Sequence, residues 1–166
     1  MNPVPLRTAL QDTRLIAALL TTAEQEARAV GDAEPGAEHL LVAALLVDDP
    51  SAHEALGSIS ATVDAAAVRA AIVAVHAASL DAVGVTSPDL DAALPPGQGV
   101  YRSEVSAQEV FQRARALSRR SRTGLHSAHV LLATAERERG TVARVLEHLA
   151  LDRAAVAAAA TAAVPA

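Results

Sequence analysis

Residues 36–46 read GAEHLLVAALL, and residues 126–136 read HSAHVLLATAE. The two stretches align at a constant offset of 90 residues, with His39 over His129, Leu41 over Leu131 and, further on, Leu56 over Leu146. Self-similarity at a fixed period marks a supersecondary unit built twice. The copies differ at one informative place, where Glu38 of the first becomes Ala128 of the second.

Outward from these blocks the pattern is helical. Ile16, Leu20, Ala23 and Ala27 recur at three- and four-residue spacing, the apolar stripe of an amphipathic helix, and Leu15, Leu19, Thr22, Glu26 and Val30 trace its neighbouring side. Pro35 and Gly36 break that helix. A second runs from Ala37 to Val47, with Leu40, Leu41, Ala44 and Leu45 turned inward. A short helix to about Leu56 and a longer one from about Val63 to His76 follow, the latter with Val68, Ile72 and Val75 on one face. Residues 84–100, GVTSPDLDAALPPGQGV, hold three Pro and three Gly and read as a linker. Helical spacing then resumes, with Val110, Ala114 and Leu117 on one face, and three further helices cover about 126–137, 141–149 and 152–164. Ser51 with Glu54, and Ser106 with Glu109, have the spacing of capping boxes.

The expected fold is therefore all-α: two pseudo-symmetric four-helix repeats, eight helices in total. The expected boundaries are 1–77 for the first repeat, 78–102 for the linker and 103–166 for the second repeat. Four short Ala-rich helices bury little surface, so the repeats are expected to pack on each other as one domain.

Composition narrows the function. Apolar residues make up 51% of the chain and aromatics 1%, so the core must be aliphatic. There are 41 Ala and no Lys, so every one of the 14 basic residues is Arg. A net charge of −5 opposes the positive footprint that duplex nucleic acid requires, and one Tyr and one Phe supply no stacking platform. The absence of Cys excludes disulfides, thiol catalysis and thiolate metal sites. No secretory signal or uninterrupted membrane-length apolar run is visible, and a cytoplasmic location is expected. Carboxylates, Ser and His occur without the spacing of a catalytic constellation, so no enzyme is expected.

The blocks EQEARAVG, GAEHLLVAALL and SAHEALGSI in the first half, and HSAHVLLATAERERGTVARVLEHLALD in the second, are similar to the double N-terminal repeat of Clp-type AAA+ unfoldases. In the second half Gly140, Val142, Ala143, Val145, Leu146 and Leu149 follow the family pattern. The resemblance spans about residues 8–76 and 103–164. It implies a non-catalytic domain that recruits client proteins, peptides or adaptors to a Clp unfoldase, without a cofactor. Since a Walker A motif needs Lys, the chain is expected to be a free-standing version, an adaptor or a decoy in Clp-dependent proteolysis.

In that family a Gly-Thr-Glu-His motif helps to bind phosphoarginine on clients. Here Gly36, Ala37 and Glu38 stand at its first three positions, with Glu38 as acceptor of guanidino hydrogen bonds. In the second copy Ser127 stands at the Thr position and Ala128 removes the acid, so at most one such site is expected. The plainer reading of Glu38 is an acid favoured in the first turn of a helix by the helix dipole. His39 and His129 share one repeat position and are expected to be structural. His126 lies three residues from His129, with Glu136 the sole further ligand candidate, and no metal site is expected.

A second surface is Arg115, Arg119 and Arg122, spaced as a helical stripe in a run of five Arg without an acid. It suggests an alternative function, a helical scaffold binding an unrelated acidic protein partner. The plainer alternatives are a solvated face or salt bridges to acids such as Glu24 and Glu26.

Overall fold

The computed structural model describes residues 6–84 and 103–165, and residues 85–102 of the linker expected at 78–102 lie outside them. Among the described residues there are eight helices: α1 (Leu6–Ala29), α2 (Ala37–Leu46), α3 (Ser51–Ile59), α4 (Ala65–Ala82), α5 (Val105–Ser121), α6 (Ser127–Ala135), α7 (Thr141–His148) and α8 (Arg153–Ala163). The fold is all-α, in the order the sequence pattern implies.

The repeated blocks form the two central helices. In α2 every residue from Ala37 to Leu45 is buried, so the inward stripe expected from Leu40, Leu41, Ala44 and Leu45 widens to the whole circumference. Helix α2 packs against α1, α3, α4, α5, α6 and α7, and α6 against α2, α3, α5, α7 and α8. Helices surrounded in this way carry apolar residues on all sides. Ala43, Ala44, Ala133 and Ala135 are buried and short, which allows close approach of neighbouring helices.

The repeats interlock. Helix α3 packs on α8 and α4 on α7, so the second pair of helices in each repeat lies on its counterpart in the other repeat. In α1 the buried seam is Leu19, Ala23 and Ala27, with Ile16 partly buried. Leu19 takes the place expected for Leu20, since a spacing of three or four residues from Ile16 fits both, and Leu20 lines a groove instead. Helix α4 runs to Ala82, past the expected boundary at 77, because Ala77 to Ala82 contain no helix breaker before Gly84, whose φ is +75°. By length and composition α4 could also span a membrane. Here Val68, Ala71, Ile72 and Val75 are buried in the core, and Arg69 makes a bidentate pair with Glu26 at 2.6 and 2.8 Å.

Neither expected capping box forms. Ser51 and Ser106 lie inside the first turns of their helices, after Pro50 and Glu104, and both hydroxyls reach the other repeat. Ser106 Oγ accepts the Ala37 N–H at 3.1 Å, and Ser51 Oγ accepts the Ala128 N–H at 3.0 Å. Glu109 pairs with Arg137. Helix starts hidden from water need such acceptors, because their first backbone N–H groups have no partner within the helix.

Leu131 is fully buried in this aliphatic core. Leu131→Ala should therefore lower the unfolding free energy by about 2–5 kcal/mol, read from urea denaturation, whereas truncating the exposed Leu10 should have little effect.

Candidate functional site at the starts of α2 and α6

The repeated histidine is the third residue of each helix. His39 Nδ1 accepts the backbone N–H of Gly36 at 2.9 Å, and His129 Nδ1 accepts that of His126 at 3.0 Å. This is the part that Glu or Gln plays in a capping box. It fixes the tautomer of a neutral ring, because a nitrogen that accepts carries no proton and the proton then sits on Nε2. His129 Nε2 finds Ser121 Oγ at 3.1 Å. His39 Nε2 is buried without a hydrogen-bond partner and lies 3.3 Å from Asp32 Oδ2. The structural role expected for the two histidines is thus the one they perform.

Around His39 the first copy gathers an acidic cluster. Glu38 is 5% exposed, and among the described residues no hydrogen-bond donor reaches its carboxylate. Its Oε1 lies 3.9 Å from His76 Nε2, and His76 Nδ1 lies 3.8 Å from Asp32 Oδ2. Asp32 comes from the turn after α1, Glu38 from the start of α2 and His76 from α4. Asp32 and His76 are partly exposed, so the cluster reaches solvent on their side. The sequence pattern singles out Glu38 but neither Asp32 nor His76, which come together only through the packing of α4 on α2.

Asp32, Glu38 and His39 have the mutual spacing of metal ligands. His39, however, has no lone pair to offer: Nδ1 holds the Gly36 N–H and Nε2 carries the proton. A metal bound through this ring would have to break the helix cap. The arrangement suits an organic cation that donates hydrogen bonds, such as a guanidinium, better than a metal ion.

Gly36 lies against this cluster. Its φ of −96° is open to any residue, but a Cβ there would sit 2.8 Å from both oxygens of Glu38. In the second copy the acid is Ala128, and the residue over Gly36 is His126. Without the carboxylate, that steric conflict is absent at the start of α6.

That side chain and its neighbour join the repeats. His126 Nδ1 lies 2.8 Å from Asp49 Oδ2, and Ser127, fully buried, donates to Asp49 and accepts the Ala52 N–H at 3.0 Å. Ser51 Oγ also donates to Asp49. Burial pushes the Asp49 carboxyl up, but the hydrogen bonds from Ser51, Ser127 and His126 outweigh it and hold the group below its ordinary value. Ser127 and Ala128 are closed off within this seam.

Of the arginines, Arg115 and Arg119 lie one turn apart on α5, exposed. Arg122 follows the helix end in a left-handed conformation with φ 60°, so the helical spacing reaches only two of the three. Glu24 pairs with Arg28 and Glu26 with Arg69, which leaves those acids unavailable to the stripe.

Two outcomes are expected. Gly36→Ala should destabilise the wild-type chain but not a Glu38→Ala chain, giving a coupling of about 0.5–3 kcal/mol in a double-mutant cycle. Burial lowers the His129 pKa, and the proximity of His126 adds to this. The unfolded chain therefore protonates first as pH falls. The contribution of His129 to stability is whole above about pH 6.5 and is lost as pH drops through the lower folded value. His129→Gln keeps an acceptor for the cap, so it should flatten the stability profile below about pH 6.5, measured by urea midpoints.

The model of the Clp repeat (R) N-terminal domain family matches residues 11–149. A search of curated proteins finds no match. Among solved structures, the crystal structure of the N-terminal domain of the caseinolytic protease associated chaperone ClpD from Arabidopsis thaliana is similar in fold. The TM-score is 0.54 at 19% identity, over 92% of this chain and 95% of that one. With the repeat, the interlocked eight helices and the family match over most of its length, the chain belongs to the Clp repeat N-terminal domain family.

Proposed function

We propose that this chain is a non-catalytic recruitment module, an adaptor or decoy in Clp-dependent proteolysis, whose ligand site is the acidic cluster of the first repeat. The observation that carries this reading is the Glu38 carboxylate, nearly buried and without a donor among the described residues. A buried carboxylate is costly without a partner, and a guanidino group inserted between Glu38 and Asp32 would provide one. Client proteins would present such a group on a peptide segment, as phosphoarginine or as arginine.

The chemistry around the cluster favours the guanidino end of such a ligand. Ala37 has no hydroxyl, and its backbone N–H is occupied by Ser106 Oγ. Two donors that could hold a phosphoryl group are therefore lacking, and recognition rests on Glu38 and Asp32. The second repeat, closed by His126 and Ser127 over Asp49, offers no equivalent site.

Calorimetry with free phosphoarginine and with arginine, on wild type and Glu38→Ala, tests the proposal. One site per chain that vanishes in the variant is the expected result. Comparable affinity for the two ligands would agree with a site that reads the guanidinium. No heat from either ligand on the wild type would refute the assignment of the site.

A further inference from the structure

Helices α1 and α5 border a groove whose two walls differ in charge. Ala9 and Ile16 of α1, with Leu125, form an apolar floor, and Arg115 and Arg119 of α5 stand along the opposite wall, enclosing about 260 Å³. Asp12 also lines it, but its Oδ1 accepts the Leu125 N–H at 2.9 Å and ties α1 to the start of the second repeat. Further along, Leu20 and Phe111 line a larger depression of about 520 Å³ between the same helices.

Arg28, Arg69, Arg113 and Arg137 each hold a carboxylate. Among the described residues no carboxylate lies within 4.0 Å of Arg115, Arg119, Arg120 or Arg122. Arg14, Arg139, Arg144 and Arg153 also lack a carboxylate partner among the described residues, but they are scattered, and it is along α5 that unpaired arginines cluster. The helix dipole accounts for cations in the last turn of α5, where Arg119 and Arg120 lie, but not for Arg115 one turn earlier. Four unpaired guanidinium groups within eight residues, on a chain of net charge −5, form a local field opposite in sign to the whole.

We infer that this groove is a second binding surface, distinct from the Glu38 cluster, and that its occupant is an acidic amphipathic peptide segment of a partner protein. Carboxylates of the segment pair with Arg115 and Arg119, for which the guanidinium fork is matched in geometry. Its aliphatic side chains cover Ile16 and Leu125. An apolar floor beside the cations fits a peptide better than a phosphate backbone, which would use the charges and leave the floor empty.

The test is fluorescence anisotropy with three labelled probes: a peptide alternating Glu/Asp with Leu, its Gln/Asn counterpart, and a single-stranded oligonucleotide. The acidic peptide should bind wild type, weaken as salt rises, and lose at least about tenfold in affinity to Arg115→Glu/Arg119→Glu. That variant changes exposed side chains only, and its circular dichroism should match wild type. Glu38→Ala should bind this peptide as wild type does, which separates the groove from the recruitment site. Equal binding of the Gln/Asn peptide, tighter binding of the oligonucleotide, or full affinity in the charge-reversal variant would each overturn the assignment.

Discussion

Helices α2 and α6 begin inside the protein, and a helix that begins inside must find acceptors for backbone N–H groups that water would otherwise satisfy. Much of the architecture follows from how that need is met. The third residue of each helix is a histidine whose Nδ1 takes the N–H of the capping residue. Serine hydroxyls from the opposite repeat take the N–H of Ala37 and Ala128, and Asp12 takes that of Leu125. Each central helix is thus completed by groups its own repeat does not contain. The apolar contacts of α3 with α8 and α4 with α7 reinforce the same dependence.

The two copies satisfy one backbone requirement while diverging in everything around it. Where the first copy keeps glycine and a carboxylate, it holds a polar cluster whose carboxylate has no hydrogen-bond donor among the described residues. Where the second replaces both, His126 and Ser127 turn toward Asp49. The first copy remains open to a ligand, and the second has become part of the framework. Gene duplication followed by unequal specialisation is a natural reading of this pair, since a single shared frame tolerates both outcomes.

The helices and their order were legible in the sequence because aliphatic spacing and the breakers at Pro35 and Gly36 are local signals. His39 and His129 were legible as structural because they share a repeat position. The extent of burial around α2 was not, since periodicity in one helix does not report how many neighbours surround it. Ser51 and Ser106 read as local caps, yet tertiary contacts across the repeats claimed their hydroxyls. Asp32 and His76 gave no signal, because their meeting depends on the packing of α4 beside α2. Arg122 fitted the stripe by arithmetic, and the left-handed turn at the end of α5 removed it.

The pairing of α3 with α8 has a consequence for synthesis. The two helices are separated by on the order of a hundred residues. As the polypeptide leaves the ribosome, α3 and α4 emerge long before α7 and α8, the surfaces that will cover them. The first repeat therefore waits with apolar faces unprotected, and its closure is a late, long-range event with a high entropic barrier. A binding module of this design is most exposed to aggregation and proteolysis while it is being made, before α7 and α8 have docked.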